Sequence, residues 1–120
     1  TKLLFKLMAN TFLNAKSDLT TTNLTTVYTV PSATTAVIKS ILVSEDAGSG
    51  TTIDVTLVDS SGNIFSLFKA KAVGSNTTVE LLTQPLILKE SEALKAQAAD
   101  ANELHVVASI LEVKPREVVT

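Results

Sequence analysis

Apolar and polar positions alternate along this chain in short runs, and turn residues separate one run from the next. From Ile53 to Leu57 the pattern is clean. Ile53, Val55 and Leu57 fall on one side and Asp54 and Thr56 on the other, the period of two that marks a half-buried strand. Lys2 to Leu13 alternates less strictly, with Leu3, Phe5, Leu7 and Ala9 opposite Leu4, Lys6, Met8 and Asn10, and predicts an edge strand that docks on a neighbour. The polar stretch Asn14 to Thr25 predicts a connecting loop. Thr26 to Val30 predicts a short strand stopped by Pro31, which has no N–H for a ladder. Ala36 to Ser44 carries aliphatic residues on both sides, which predicts a central strand or one covered on both faces.

Further along, Glu45 to Gly50 gathers two glycines and two acids into a loop, and Asp59 to Asn63 predicts the turn of a hairpin between Ile53–Leu57 and Ile64–Val73. Thr77 to Leu82 and Leu86 to Leu88 predict two more strands, separated by Gln84-Pro85. Residues 90–101 are ambiguous, because Glu, Ala, Leu, Lys and Gln all favour helix. Leu94, Ala96 and Ala98 nevertheless alternate with Lys95, Gln97 and Ala99, and the large apolar residues four apart that an amphipathic helix needs are missing, so a strand is favoured. Glu103 to Val113 predicts the longest strand, ended by Pro115. Eight or nine strands spaced by turns predict one all-β domain over residues 1–120, with residues 1–13 as a docking strand. The fold class is an antiparallel β-sandwich with jelly-roll or immunoglobulin-like connectivity.

Composition strengthens this reading. Of 120 residues 45% are hydrophobic but only 4% aromatic, with no tryptophan, so small aliphatics must fill the core. Seventeen threonines and eleven serines exceed what loops need, and threonine packs well on a pleated sheet. Cysteine is absent, which excludes disulfides and thiolate metal sites. A net charge of −2 with interleaved signs offers no cationic surface for nucleic acid or an acidic membrane, and no apolar run approaches the roughly 20 residues of a membrane span. Lys6 interrupts the N-terminal apolar run, which argues against a cleaved signal.

Candidate chemistry is sparse. His105 is the lone histidine and lacks a second zinc ligand or an oriented nucleophile. Glu45, Asp46, Asp54 and Asp59 do not follow the spacing of a calcium loop and read as solvated loop charges, with weak calcium binding at Glu45 or Asp46 as the alternative. Gly48, Gly50, Gly62 and Gly74 form no phosphate cradle. No catalytic residue, cofactor or metal is predicted, and nucleic acid and membrane are not expected partners. The apolar surplus is the remaining signal. Leu104, Val106 and Ile110 on one face of the last strand and Val107, Leu111 and Val113 on the other exceed what one small sandwich buries, as do Leu3, Phe5 and Leu7. These nine residues are the interface candidates of an expected homo-oligomer.

The run Val27-Tyr28-Thr29-Val30-Pro31, then Val37-Ile38-Lys39-Ser40-Ile41, then Pro85-Leu86, Leu94-Lys95-Ala96-Gln97-Ala98 and the closing Ser109-Ile110-Leu111-Glu112-Val113, resembles small structural proteins of tailed bacteriophages. Lys89-Glu90-Ser91-Glu92 stands where such proteins usually have a glycine-aspartate turn. The resemblance implies a non-enzymatic virion component, foremost a decoration or cement protein on the outer capsid, with the major capsid protein or other virion proteins as partners. A tail, neck or fibre component is one alternative. A carbohydrate-binding sandwich module is the other, and it would need aromatic platforms that Tyr28 and four phenylalanines must supply.

Overall fold

The computed structural model describes the backbone of residues 4–119 and the side chains of residues 9–115. Within these bounds the chain is all-β, with strands β1 (Leu4–Leu19), β2 (Thr25–Thr29), β3 (Thr35–Glu45), β4 (Thr51–Val58), β5 (Ile64–Val73), β6 (Thr78–Glu80), β7 (Leu86–Leu88), β8 (Ala93–Ala98) and β9 (Leu104–Val119). They form two antiparallel sheets. The first runs β1-β9-β3, with β6 and β7 sharing the far edge of β3, and the second runs β2-β8-β4-β5. This order nests one Greek key inside another, so the connectivity is that of a jelly roll rather than an immunoglobulin domain. The core between the sheets is aliphatic. Ile38, Ile41 and Val43 of β3 and Leu104, Val106 and Ile110 of β9 meet Ile53, Val55, Leu94 and Ala96 of the second sheet.

Residues 90–101 contribute a strand, β8, whose alternation places Leu94, Ala96 and Ala98 inward. Three expectations are corrected. First, β1 continues to Leu19 through what reads as loop, because Leu13, Ala15 and Leu19 turn toward the core while Asn14, Lys16 and Asp18 point away. Second, Pro115 does not end the last strand. Pairing of β9 with β3 stops at Thr35↔Val113, so Pro115 sits where β9 has one neighbour only, a position that tolerates the missing N–H. Third, β3 is central as expected, between β9 and the β6 and β7 strands, but strict alternation does not sort its aliphatics onto the right faces. The register shifts between Ile38 and Ser40, and Lys39 is the extra residue. Ala36 and Ile38 before the bulge and Ile41 and Val43 after it therefore all point inward.

Carboxylates hold these irregularities. Glu80 accepts hydrogen bonds from the Ser40 hydroxyl and, at 2.8 Å, from the Ile41 N–H, which fixes the β3 bulge. Asp54 accepts the Ala70 N–H at 2.6 Å and pins Ala70 at φ 50°, a left-handed bulge residue in β5. The turn at Lys89 to Glu92 forms without glycine, with Ser91 at φ 68° and the Glu92 N–H bonded to the Lys89 carbonyl at 3.0 Å.

One part of the chain extends past the sandwich. The six pairs from Leu4↔Val119 to Ala9↔Lys114 continue the β1–β9 ladder beyond Thr35, where β3 begins, as a ribbon of two strands. At about 3.4 Å per residue it adds about 20 Å. The molecule measures 66 × 27 × 23 Å, and its radius of gyration of 16.9 Å exceeds the about 14 Å of a compact chain of this length.

Candidate functional site

The register of the first sheet assembles its outer face. Phe12 of β1 stands opposite Leu111 of β9, Leu111 opposite Val37 of β3, and Val37 opposite Ile87 of β7. These four apolar residues form one row across four strands, with Phe12 74% and Ile87 51% exposed. A second apolar pair, Val107 opposite Leu42, lies in the row Lys16–Val107–Leu42–Glu80, and Asn14–Ser109–Ser40 runs between the two rows. Toward the ribbon, Val113, Thr35, Ile87 and Pro115 help to line a shallow depression of about 480 Å³. Scattered exposed apolar residues are ordinary, but a contiguous cross-strand row is the form that interaction surfaces take.

The outer face of the second sheet is more polar, although the row Thr29–Ala93–Val58–Ile64 at one end is apolar and leaves Ile64 63% exposed. Thr26, Lys95, Thr56 and Ser66 form one row, and Gln97 pairs with Asp54 in the next. A depression of about 480 Å³ on this side is lined by Thr22, Thr52, Asp54, Lys69 and Gln97 among others, none of the lining residues being aromatic. Sugar rings have no stacking platform there. Tyr28 is no platform either, since it is buried. Phe68 packs against the core, whereas Phe65 is 53% exposed on edge strand β5.

The interface candidates separate by face. Leu104, Val106 and Ile110 lie at 0 to 1% exposure in the chain's own core, so they are not contact residues, because the β2-β8-β4-β5 sheet already covers them. Val107, Leu111 and Val113 point outward on the face that carries the apolar row. Leu3 lies outside the described residues, as do the side chains of Phe5 and Leu7, whose backbones pair with Val118 and Arg116. Sequence reasoning missed Phe12, Val37, Leu42 and Ile87. Their apolar character was visible, but only the register brings them together.

The charged groups serve the fold. Glu45 is buried at 2% exposure, and its carboxylate accepts N–H bonds from Gly48 at 2.9 Å, Asn76 at 3.2 Å, Ser49 at 3.0 Å and Gly50 at 2.7 Å. Burial pushes its pKa up, but these four donors outweigh burial and hold it down at about 2. Glu45 therefore stitches the β3–β4 loop to the β5–β6 turn, and its lone pairs are engaged. Among the described residues no three potential metal ligands converge, at Glu45 or elsewhere. His105 lies between two carboxylates, with Nε2 3.4 Å from Asp18 and Nδ1 3.6 Å from Asp46, and joins β9 to β1 and to the β3–β4 loop.

A buried polar bridge crosses between the sheets near the base of the ribbon. The Tyr28 hydroxyl of β2 donates to the Glu112 carboxylate of β9 at 2.6 Å, and Lys114 approaches the same carboxylate at 3.7 Å. Burial first, then the hydrogen bond and charge of Glu112, raise the Tyr28 pKa far above its ordinary range, so the phenol stays neutral and donates.

No family model matches the chain, and no curated protein matches it. Similar solved structures include viral capsid and pilus proteins and a family 22 carbohydrate-binding module of Clostridium thermocellum, the last 22% identical over 71% of this chain and 57% of that chain with a TM-score of 0.39. A pilus protein of Bacillus endospore appendages is 9% identical, with 95% of this chain and 90% of that chain covered and a TM-score of 0.49. A capsid chain of a Helicobacter pylori bacteriophage is 14% identical, with 98% of both chains covered and a TM-score of 0.47. A pentameric capsid protein from metagenomic phage sequences is 18% identical, with 82% of this chain and 58% of that chain covered and a TM-score of 0.44.

Proposed function

We propose that this chain is a non-enzymatic structural protein of a bacteriophage particle, decorating or cementing the outer capsid surface as a single jelly-roll domain in many copies. The observation that carries this reading is the apolar row Phe12–Leu111–Val37–Ile87, set on the outside of a sheet whose inner face is already filled. A surface of this kind is buried by other protein subunits, and the opposite, more polar face of the sandwich suits exposure to solvent. The likeness of residues 26–113 to phage structural proteins supplies the setting, with the major capsid protein or other virion proteins as partners. Repetition over many equivalent sites turns weak contacts into stable attachment.

Quantitative mass spectrometry of purified particles, with a cryo-EM map, tests the reading. Copy numbers in the hundreds and density on the outer shell are expected. About a dozen copies or fewer would move the protein to the tail or neck, as expected of a ring at a single vertex. Its absence from the particle would overturn the proposal.

A further inference from the structure

We infer that β1 pairs edge to edge with β1 of a second copy of this chain, antiparallel about a two-fold axis at Phe12, and so fuses the first sheets of two copies into one. This pairing goes beyond the role proposed above and does not depend on it. The two sheets end in four strand edges, and three of them are guarded. The far edge of β3 carries only β6 and β7, of three residues each, with Pro85 between them. β2 has five residues and a register shift between Thr26 and Tyr28. β5 shifts register twice against β4, holds Ala70 in a left-handed conformation and exposes Lys69 and Lys71. Short strands, bulges, proline and lysine are the devices that keep an edge from pairing.

β1 is built otherwise. Its 16 residues follow β9 without one register shift, contain no proline or glycine, and carry no charge from Ala9 to Ala15. Among the described residues no strand lies beyond it. Alternate residues therefore turn unpaired N–H and C=O groups outward, a template for one more strand. The core is also open along this edge. Leu13 and Ala15 point inward but are only half-buried, although Ile110 and Ala108 opposite them on β9 are fully buried.

A two-fold axis makes a strand its own antiparallel complement, so a second copy supplies the missing strand. With the axis at Phe12, Phe12 faces Phe12, Asn10 faces Asn14, Thr11 faces Leu13 and Ala9 faces Ala15. Phe12, 74% exposed in the single chain, gains an aromatic neighbour, and Ala9 and Thr11 of the second copy cover Ala15 and Leu13. The row Ile87–Val37–Leu111–Phe12 then runs on into its own mirror sequence, about 34 Å at about 4.8 Å per strand. The two β1 backbones overlap from Phe5 to Leu19, about 50 Å. A seam of that length and about 10 Å deep removes about 1,000 Å² in total, the lower bound of a specific interface, and main-chain hydrogen bonds supply the affinity. Growth stops at two copies, because β6 and β7 then form both outer edges of the fused sheet.

The purified chain alone tests the pairing. Sedimentation velocity from about 1 μM to about 1 mM should show a monomer passing to a dimer and to nothing larger. A chain still monomeric at about 1 mM, or one that grows past the dimer, would overturn the inference. Because cysteine is absent, crosslinking reads the register. Asn10→Cys and Asn14→Cys, one of them isotopically labelled, are mixed and oxidised where the dimer prevails. Asn10 faces Asn14 of the second copy within disulfide reach but lies about 14 Å from its own counterpart. Mixed disulfides are expected in place of a statistical mixture. Statistical proportions, or efficient pairing of Ile87→Cys with itself, which would mean rows meeting face to face, would overturn the seam. Asn10→Lys combined with Asn14→Lys sets like charges opposite each other twice and should weaken the dimer at least tenfold with an unchanged far-UV circular dichroism spectrum. A dimer of undiminished strength in that variant counts against the seam as well. Copy number on particles, and with it the proposed function, is a separate measurement.

Discussion

The two outer faces of this sandwich have the same backbone geometry and contrasting chemistry. On the second sheet the row Thr26–Lys95–Thr56–Ser66 is what a solvated strand surface normally presents, whereas on the first the equivalent positions hold Phe12–Leu111–Val37–Ile87. Both sheets already bury an inner face against each other, so folding alone does not account for the second apolar surface. The difference teaches that the fold and the association surface are separate demands on the same strands. β9 meets both, with Ile110 in the core and Leu111, its immediate neighbour, outside.

That adjacency offers the sharpest way to break the comparison. Ile110→Ala should lower unfolding stability by about 2–5 kcal/mol through transfer and cavity costs, whereas Leu111→Ala should cost under about 1 kcal/mol in the dissociated chain, both read by urea denaturation. Equal losses would mean that the outer row belongs to the fold. Next in size, Phe12→Asp should weaken self-association at least a hundredfold, about 2.7 kcal/mol, by sedimentation equilibrium, with the spectrum of the folded chain retained.

Tyr28→Phe should cost about 1–3 kcal/mol, because it leaves Glu112 buried at 7% exposure with only Lys114 beside it. The change bears on the comparison because Tyr28 belongs to the polar-faced sheet and Glu112 to the apolar-faced one.

A smaller effect is the response to acid. The folded-state pKa of Glu45 is lowered from its ordinary 4.5 to about 2, so its contribution is fully present above about 4.5 and is lost as pH falls toward 2. The pKa values of Asp59 and Glu80 are lowered as well and act with the same sign. Melting temperature should therefore fall between about pH 5 and pH 2, and Glu45→Gln should flatten part of that slope while lowering stability at neutral pH. The smallest effect belongs to the polar face. Thr26→Asp with Ser66→Asp should shift stability by no more than about 0.5 kcal/mol per site and leave the assembly mass unchanged.

Much of the fold was legible because alternation is local. β4 and β9 announce themselves by Ile53–Val55–Leu57 and by Leu104 through Ile110, and β8 by Leu94–Ala96–Ala98. The bulge at Lys39 was not legible, because its cause lies some forty residues away in the Glu80 carboxylate, and without it alternation puts Val37 on the same side as Ile41 and Val43. The candidate face was half legible. Sequence divides β9 into Leu104, Val106 and Ile110 against Val107, Leu111 and Val113, but it cannot say which set turns inward, and a strand gives no hint of which residues on other strands will stand beside it.

The wide separation of the row's members along the chain also sets when it comes into being. Phe12 joins Leu111, Val37 and Ile87 only after β1 has closed against β9, the most sequence-distant pairing among the described residues and so among the slowest contacts to form. A copy in which β1 has not yet closed therefore carries only part of the row. The complete four-strand row thus exists only in a chain whose first and last strands have met, whatever order the others follow.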